Sequence, residues 1–252
     1  MVFIINVLMS SKKKDKRGGQ SNLASVGFIS FSDVTGTNED NTEQQSTTAP
    51  ISSNASPKAV PVYQGSHAEL GMHCKKVLKK DQVTKVKALQ EMASIITVEA
   101  AQDSDLIPGF LPYFSFLFPK IALENEWRVR ERFCQLLQSI LLVDKKSLIS
   151  YMKEIIGPWW QMLNDSSNEV KQAYCTAFQG AFAPRKRLML VSQLTDPILN
   201  HAVKFALIQP QELKEINVGM SEEELTEKLE RLIISNFNGL SELLKVLYGQ
   251  HN

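Results

Sequence analysis

One short pattern recurs at a nearly constant spacing, and it constrains the fold more than any other feature of the sequence. A valine followed by a cation occurs at Val86-Lys87, Val129-Arg130 and Val170-Lys171, 43 and 41 residues apart. Each copy lies in a stretch whose apolar residues follow the helical period. Repeats of about 40–47 residues built from helix pairs are typical of HEAT and armadillo arrays, whose pairs bury their apolar faces by stacking. The sequence therefore predicts an all-α fold of HEAT/armadillo-like repeats, an α-solenoid.

The apolar stripes of these repeats supply the predicted core. Their members are Val83, Val86, Leu89, Met92, Ala93 and Ile96 in the first, Val129, Phe133, Leu136, Leu137, Ile140 and Leu141 in the second, and Val170, Ala173, Tyr174, Ala177 and Phe178 in the third. Asp81 is placed to cap the first helix, and Ser221 and Glu224 form a capping box before the last amphipathic stretch. Gly239 is a candidate interruption of that last stretch.

Between the stripes lie more uniformly apolar segments that contain prolines and tryptophans. Pro112 and Pro158 are expected near a turn or a helix start, and Pro119 is expected to kink or end its helix. Trp159 and Trp160 are adjacent, so their indoles lie about 100° apart on a helix and cannot both point fully into one core. One of the two is therefore a candidate surface aromatic.

The amino-terminal quarter of the chain has a different composition. Residues 1–65 are rich in Ser, Thr, Asn, Gln and Pro, carry a basic cluster at residues 12–17 and include the aromatic segment Gly27–Phe31. Few large apolar residues are present to offset chain entropy, so we predict a disordered tail before a helical domain at residues 66–252. The aromatic segment is interpreted either as a docking motif or as a segment that folds back on the domain. The apolar run Met1–Leu8 comes before the basic cluster, the reverse of the order in a secretory signal peptide, and it is too short for a membrane span. We therefore interpret Met9 as the native start.

Composition and motifs exclude several classes of function. The chain balances 28 Lys and Arg against 27 Asp and Glu, which removes the argument for bulk attraction to nucleic acid or membranes. No phosphate-binding glycine loop, nucleophile elbow or zinc-protease motif occurs in the sequence, and we expect no cofactor, no metal and no small-molecule substrate. Cys134 and Cys175 fall on apolar stripes, where a buried hydrophobe is favoured over a nucleophile.

Clustered cations and one aromatic residue form the candidate partner-binding site. Lys85 and Lys87 belong to a lysine-rich first helix pair, and Trp127, Arg128 and Arg130 stand at a helix start. Because residues two apart point to different sides of a helix, at least one of the two arginines is expected to face solvent. Taken one by one, these features are interpreted as ordinary surface charge, core packing or a solvated helix face, and only together do they favour a binding surface.

An ordered set of short segments resembles the amino-terminal region of the listerin family. The segments are Gly27–Phe31, Thr84–Glu91, Leu111–Tyr113, Arg128–Glu131, Trp160, Asp165, Val170, Ala173, Ala177–Phe178 and Phe182, continuing to about Leu247. This resemblance implies a HEAT-repeat region of a cytosolic RING-type E3 ubiquitin ligase of ribosome-associated quality control. It further implies partners, namely the stalled large ribosomal subunit and the factor that adds untemplated tails to nascent chains.

The resemblance also sets a limit on activity. A RING cross-brace uses more Cys and His ligands than the seven that this sequence holds, and these are not clustered. We therefore expect a non-catalytic portion, either a fragment or a truncated gene model, that meets a ubiquitin-conjugating enzyme only through a RING elsewhere. The alternative hypothesis is a generic HEAT or armadillo scaffold without ribosome binding.

Overall fold

The computed structural model describes Tyr63 and residues 65–249, and this part of the chain is α-helical without a strand. Ten helices occupy the described residues: α1 Ala68–Val77, α2 Gln82–Glu99, α3 Leu106–Ala122, α4 Trp127–Ile149, α5 Met152–Leu163, α6 Asn168–Ala181, α7 Pro184–Gln193, α8 Thr195–Ala206, α9 Pro210–Ile216 and α10 Glu222–Tyr248. The predicted all-α fold is confirmed. Residues 1–62, which hold the basic cluster and the aromatic segment, lie outside the described residues, and the domain boundary near residue 65 stays a prediction.

The first six helices form three stacked pairs. α1 packs on α2, α3 on α4 and α5 on α6, while α2, α4 and α6 contact one another in order. The hydroxyl of Thr97 on α2 lies 3.0 Å from that of Ser139 on α4, 42 residues later, so these two helices keep the register of the sequence repeat. The three valine–cation copies therefore lie on neighbouring helices of one layer, as repeat periodicity requires.

Side-chain caps fix where several of these helices begin. The Asp81 carboxylate accepts a hydrogen bond from the Thr84 amide at 2.7 Å, as predicted. Ser221 and Glu224 form the predicted capping box, since the Ser221 hydroxyl accepts from the Glu224 amide at 3.2 Å and the Glu224 carboxylate accepts from the Ser221 amide at 3.0 Å. Each cap satisfies backbone amides that have no partner within the helix.

A continuous aromatic core joins the three pairs. Phe114 of α3 stacks on Phe133 of α4 with ring centroids 4.9 Å apart, and Phe118 meets the same ring edge-on at 5.0 Å. The second and third predicted stripes are buried or half-buried throughout. The first stripe is wrong at Val83, which is 61% exposed, because Val83 lies in the first turn of α2, ahead of the part covered by α4.

All three prolines lie inside helices, so Pro112 and Pro158 are not near a turn or helix start as expected, and Pro119 does not end its helix. Pro112 and Pro119 both lie inside α3, and Pro158 lies inside α5. An interior proline costs about 3 kcal/mol because it removes a backbone hydrogen bond. Ten of the 17 residues of α3 are buried, and this apolar burial outweighs the cost of the prolines.

Neither of the adjacent tryptophans is the candidate surface aromatic, because both are buried. Trp159 is fully buried and Trp160 is 6% exposed. Trp159 packs against Phe178 of α6 with ring centroids 5.3 Å apart, whereas the Trp160 indole donates a hydrogen bond to the Gly239 carbonyl of α10 at 2.8 Å. The two indoles point about 100° apart and are both buried, because α6 covers one side of α5 and α10 covers the other.

The last four helices depart from simple pairing. α8 packs on α5 and on α10, and the 27-residue α10 also contacts α5, α7 and α9. Gly239 does not interrupt α10, and the absence of a Cβ there lets the helix approach Trp160 closely. Within residues 65–249, no helix is both long and apolar enough to cross a membrane.

Candidate functional site

Arg128 and Trp127 form an exposed pair at the start of α4. The Arg128 guanidinium lies over the Trp127 ring, 4.7 Å from its centroid, and its side chain is 62% exposed. The Glu126 carboxylate accepts hydrogen bonds from the Arg128 amide at 3.2 Å and from its guanidinium at 3.3 Å. A guanidinium held flat on an indole presents its remaining N–H groups to a ligand at little entropic cost.

Lys87 is a further exposed residue of the predicted set. It lies on α2, the helix that packs against α4, and the register between the two helices places it at the level of Val129 along the helix axis. Lys87, Trp127 and Arg128 together form what we term the basic corner. The prediction that at least one of the two arginines faces solvent is confirmed by Arg128.

Arg130 is buried instead, and its charge is used inside the protein. It is 2% exposed, and its guanidinium donates to both carboxylate oxygens of Asp165 at 3.0 and 2.9 Å. Its third nitrogen donates to the carbonyls of Glu124 and Asn125 at 2.7 and 2.8 Å. The predicted contact role of Arg130 is therefore replaced by a structural one, because its guanidinium is buried and paired with Asp165 and so does not reach the surface.

Lys85 of α2 is also buried and paired within the protein. It is 8% exposed, and its ammonium group forms an ion pair with the Glu124 carboxylate in the loop between α3 and α4. We correct the prediction for this residue as well, since the charge that would meet a partner is already neutralised within the fold. Of the five predicted contact residues, three remain in the proposed surface, and their contact with a partner stays a prediction.

Two further cations, not singled out in the sequence, extend this buried cluster. Arg231 of α10 donates to the Ala122 carbonyl at 3.2 Å and lies 3.7 Å from Asp165, and Lys228 donates to the Asn217 side chain at 2.5 Å. Both are under 10% exposed. Burial, followed by the neighbouring Arg231, lowers the pKa of Lys228 to about 8. No sequence signal identifies these two, because they occupy polar positions of an ordinary amphipathic helix.

The Lys228 pKa predicts how stability depends on pH. Its folded-state pKa of about 8 lies below the ordinary 10.5, so between these values the unfolded chain binds more protons and the free energy of unfolding rises with pH. At pH 7 the charged form costs about 3 kcal/mol. We expect Lys228→Met to stabilise the protein at pH 7 by about 1–3 kcal/mol. The gain is smaller than the full cost of the buried charge because the substitution also removes the hydrogen bond to Asn217. Urea unfolding at pH 7 and pH 10 checks this, and an equal stability gain at both pH values would contradict it.

Among residues 65–249 there is no group of three or more side chains suited to hold a metal ion. Burial raises the pKa of the Cys74 thiol to about 12 and that of the Cys134 thiol further still. Both thiols are thus protonated hydrophobes near neutral pH. The basic corner offers exposed positive charge, which is the chemistry of a binding surface.

The family of the chain follows from its match to known proteins. Residues 64–251 match the family model described as "E3 ubiquitin-protein ligase listerin, N-terminal domain". The chain belongs to the listerin family. Listerin of mouse is 30% identical over 196 residues, which cover 73% of this chain and 11% of the relative. Listerin of chicken is 31% identical over 201 residues, or 75% of this chain and 11% of the relative.

More distant listerins match the same region. Drosophila melanogaster listerin is 26% identical over 171 residues, covering 66% of this chain and 10% of the relative. The chain thus spans about a tenth of the length of the curated listerins that it matches. The resemblance to listerin read from the sequence is confirmed, and the matched region coincides with the helical repeats.

Proposed function

We propose that this chain acts as the non-catalytic, partner-binding amino-terminal portion of a listerin-type E3 ubiquitin-protein ligase. In this role it binds the stalled large ribosomal subunit and the nascent-chain tailing factor in the cytosol, and a RING elsewhere recruits the ubiquitin-conjugating enzyme. The observation that carries the proposal is the family match across the whole helical region. The basic corner is the contact that we assign to the ribosome.

The structure of the corner supports contact with RNA phosphates. Lys87 and Arg128 are exposed on the neighbouring helices α2 and α4, and the Arg128 guanidinium contacts the Trp127 ring and the Glu126 carboxylate. Ordered cations on a rigid helix edge bind phosphate without the entropic cost of long free side chains. The overall charge of the chain is near zero, so this binding depends on a local patch and not on a global field.

Charge reversal at the corner tests the proposal. We expect Lys87→Glu/Arg128→Glu to weaken co-sedimentation with purified large ribosomal subunits by at least about tenfold at 0.15 M salt, because two phosphate contacts become repulsive. Binding of the unmodified chain should also fall steeply with salt, and the variant should show a shallower slope.

The matched control is Lys153→Glu, an exposed lysine on α5 that lies outside the corner. It changes one charge in the same sense and should retain co-sedimentation. Unchanged sedimentation of the folded double variant would remove the corner from the interface. A chain that binds no ribosomal subunit at any salt concentration would favour the generic scaffold.

A further inference from the structure

A groove in the carboxy-terminal half of the described residues, away from the basic corner, has no role in the function proposed above. It has a volume of about 540 Å³ and lies among α5, α6, α7 and α10. Its lining is mostly apolar, with these side chains: Trp160, Leu163, Phe178, Leu188, Val191 and Val246. Leu188 of α7 is 39% exposed, so part of this apolar lining is open to solvent. Grooves of this volume are within the range that binds peptides and drug-sized ligands, about 300–1,000 Å³.

The wall between α5 and α10 is rigid. The Trp160 indole N–H donates to the Gly239 carbonyl at 2.8 Å. A Cβ at position 239 would lie 3.2 Å from the Trp160 ring, so only glycine allows this approach without displacing the indole. Two helices locked in this way leave the groove formed before any ligand arrives, which lowers the cost of binding.

The charges on the rim are unequal. Lys171 of α6 and Arg187 of α7 line the groove, and within residues 65–249 neither forms an ion pair with an acidic side chain. The Nε of Arg187 is buried and has no hydrogen-bond partner there. Glu242, the acid on the opposite rim, is already paired with Lys245 at 2.6 Å. The groove thus offers an apolar floor and two uncompensated positive charges.

We propose that this groove binds an amphipathic helix of a partner protein, whose apolar stripe is flanked by carboxylates. Helical walls on either side favour a helix as the occupant, since apolar side chains spaced i, i+3, i+4 and i+7 fill such grooves. Carboxylates along one flank of the helix meet the positive charges of Lys171 and Arg187. The site is separate from the basic corner, which lies on α2 and α4, and the proposal does not depend on ribosome binding.

Synthetic peptides provide the test. The probe is a fluorescein-labelled helix of about 14 residues with leucines in the spacing above and glutamates on its flanks. We compare it with the same peptide carrying lysines in place of the glutamates, by fluorescence anisotropy with the full chain. The glutamate peptide should bind at least about tenfold more tightly. Lys171→Glu/Arg187→Glu should reverse the preference, and Leu188→Glu should weaken the glutamate peptide about tenfold.

A matched variant and a chemical readout locate the binding. Lys186→Glu alters an exposed cation of α7 that does not line the groove, and it should change the affinity less than about twofold. Cys175 lines the groove and is half-buried, whereas Cys74 and Cys134 are buried. Bound peptide should therefore slow alkylation of Cys175 by N-ethylmaleimide in proportion to occupancy.

Two results would overturn the proposal. One is equal binding of both peptides, or an equal effect of the Lys171/Arg187 and Lys186 variants, since charge at the rim would then select nothing. The other is a concentration-dependent dimer that Leu188→Glu dissolves, because the occupant would then be a second copy of this chain.

Discussion

Asp165→Asn is expected to lower the free energy of unfolding by about 3–5 kcal/mol. The Asp165 carboxylate is fully buried and serves two guanidinium groups, with Arg130 at 2.9 and 3.0 Å and Arg231 at 3.7 Å. Asparagine keeps the shape of the side chain but not its charge, so the expected loss reflects two buried cations without a counter-ion. Urea unfolding followed by circular dichroism measures it.

The control variant replaces both residues of the Arg130–Asp165 ion pair and not Asp165 alone. Arg130→Met/Asp165→Leu removes both charges of the bidentate pair, and replacing a whole buried ion pair by apolar groups is often neutral. Asp165 also accepts the Ser167 amide at 2.9 Å, so the double variant retains some loss, but it should be more stable than Asp165→Asn. If Asp165→Asn costs less than about 1 kcal/mol, water and not Asp165 compensates the two arginines.

The buried pair shows where sequence reasoning about the site stops. Lys85 and Lys87 lie two residues apart on α2, as do Arg128 and Arg130 on α4, and in each couple one cation is buried and the other exposed. Helical phase predicts that the two members differ but not which one is buried. That choice is made by acids far away in sequence, since Asp165 follows Arg130 by 35 residues and Glu124 follows Lys85 by 39.

Local signals, by contrast, were sufficient for much of the fold. The caps at Asp81 and Ser221 act on amides three residues away, so the sequence predicts them without tertiary information. The repeat spacing likewise predicts that α2, α4 and α6 are neighbours. The prolines of α3 were misjudged because their effect depends on how much apolar surface the whole helix buries, which is a property of the assembled core.

Trp159→Ala is expected to lower the free energy of unfolding by about 3–5 kcal/mol. The indole is fully buried and contacts three aromatic rings, with centroids 6.2 Å from Phe118 of α3, 5.3 Å from Phe178 of α6 and 6.3 Å from Phe182 at the end of α6. Its removal opens a cavity where the second and third helix pairs meet. Urea unfolding measures the loss, and a loss below about 1 kcal/mol would contradict tight packing at this junction.

Phenylalanine substitutions separate packing from hydrogen bonding at the two tryptophans. The Trp159 indole N–H is buried without a hydrogen-bond partner among the described residues, so Trp159→Phe removes an unsatisfied donor along with part of the ring. Trp160→Phe instead breaks the hydrogen bond to the Gly239 carbonyl. Because a satisfied buried hydrogen bond contributes about 1 kcal/mol and an unsatisfied donor costs a similar amount, Trp160→Phe should destabilise the protein more than Trp159→Phe. The reverse order would mean that ring volume, and not polar pairing, decides the stability of α5.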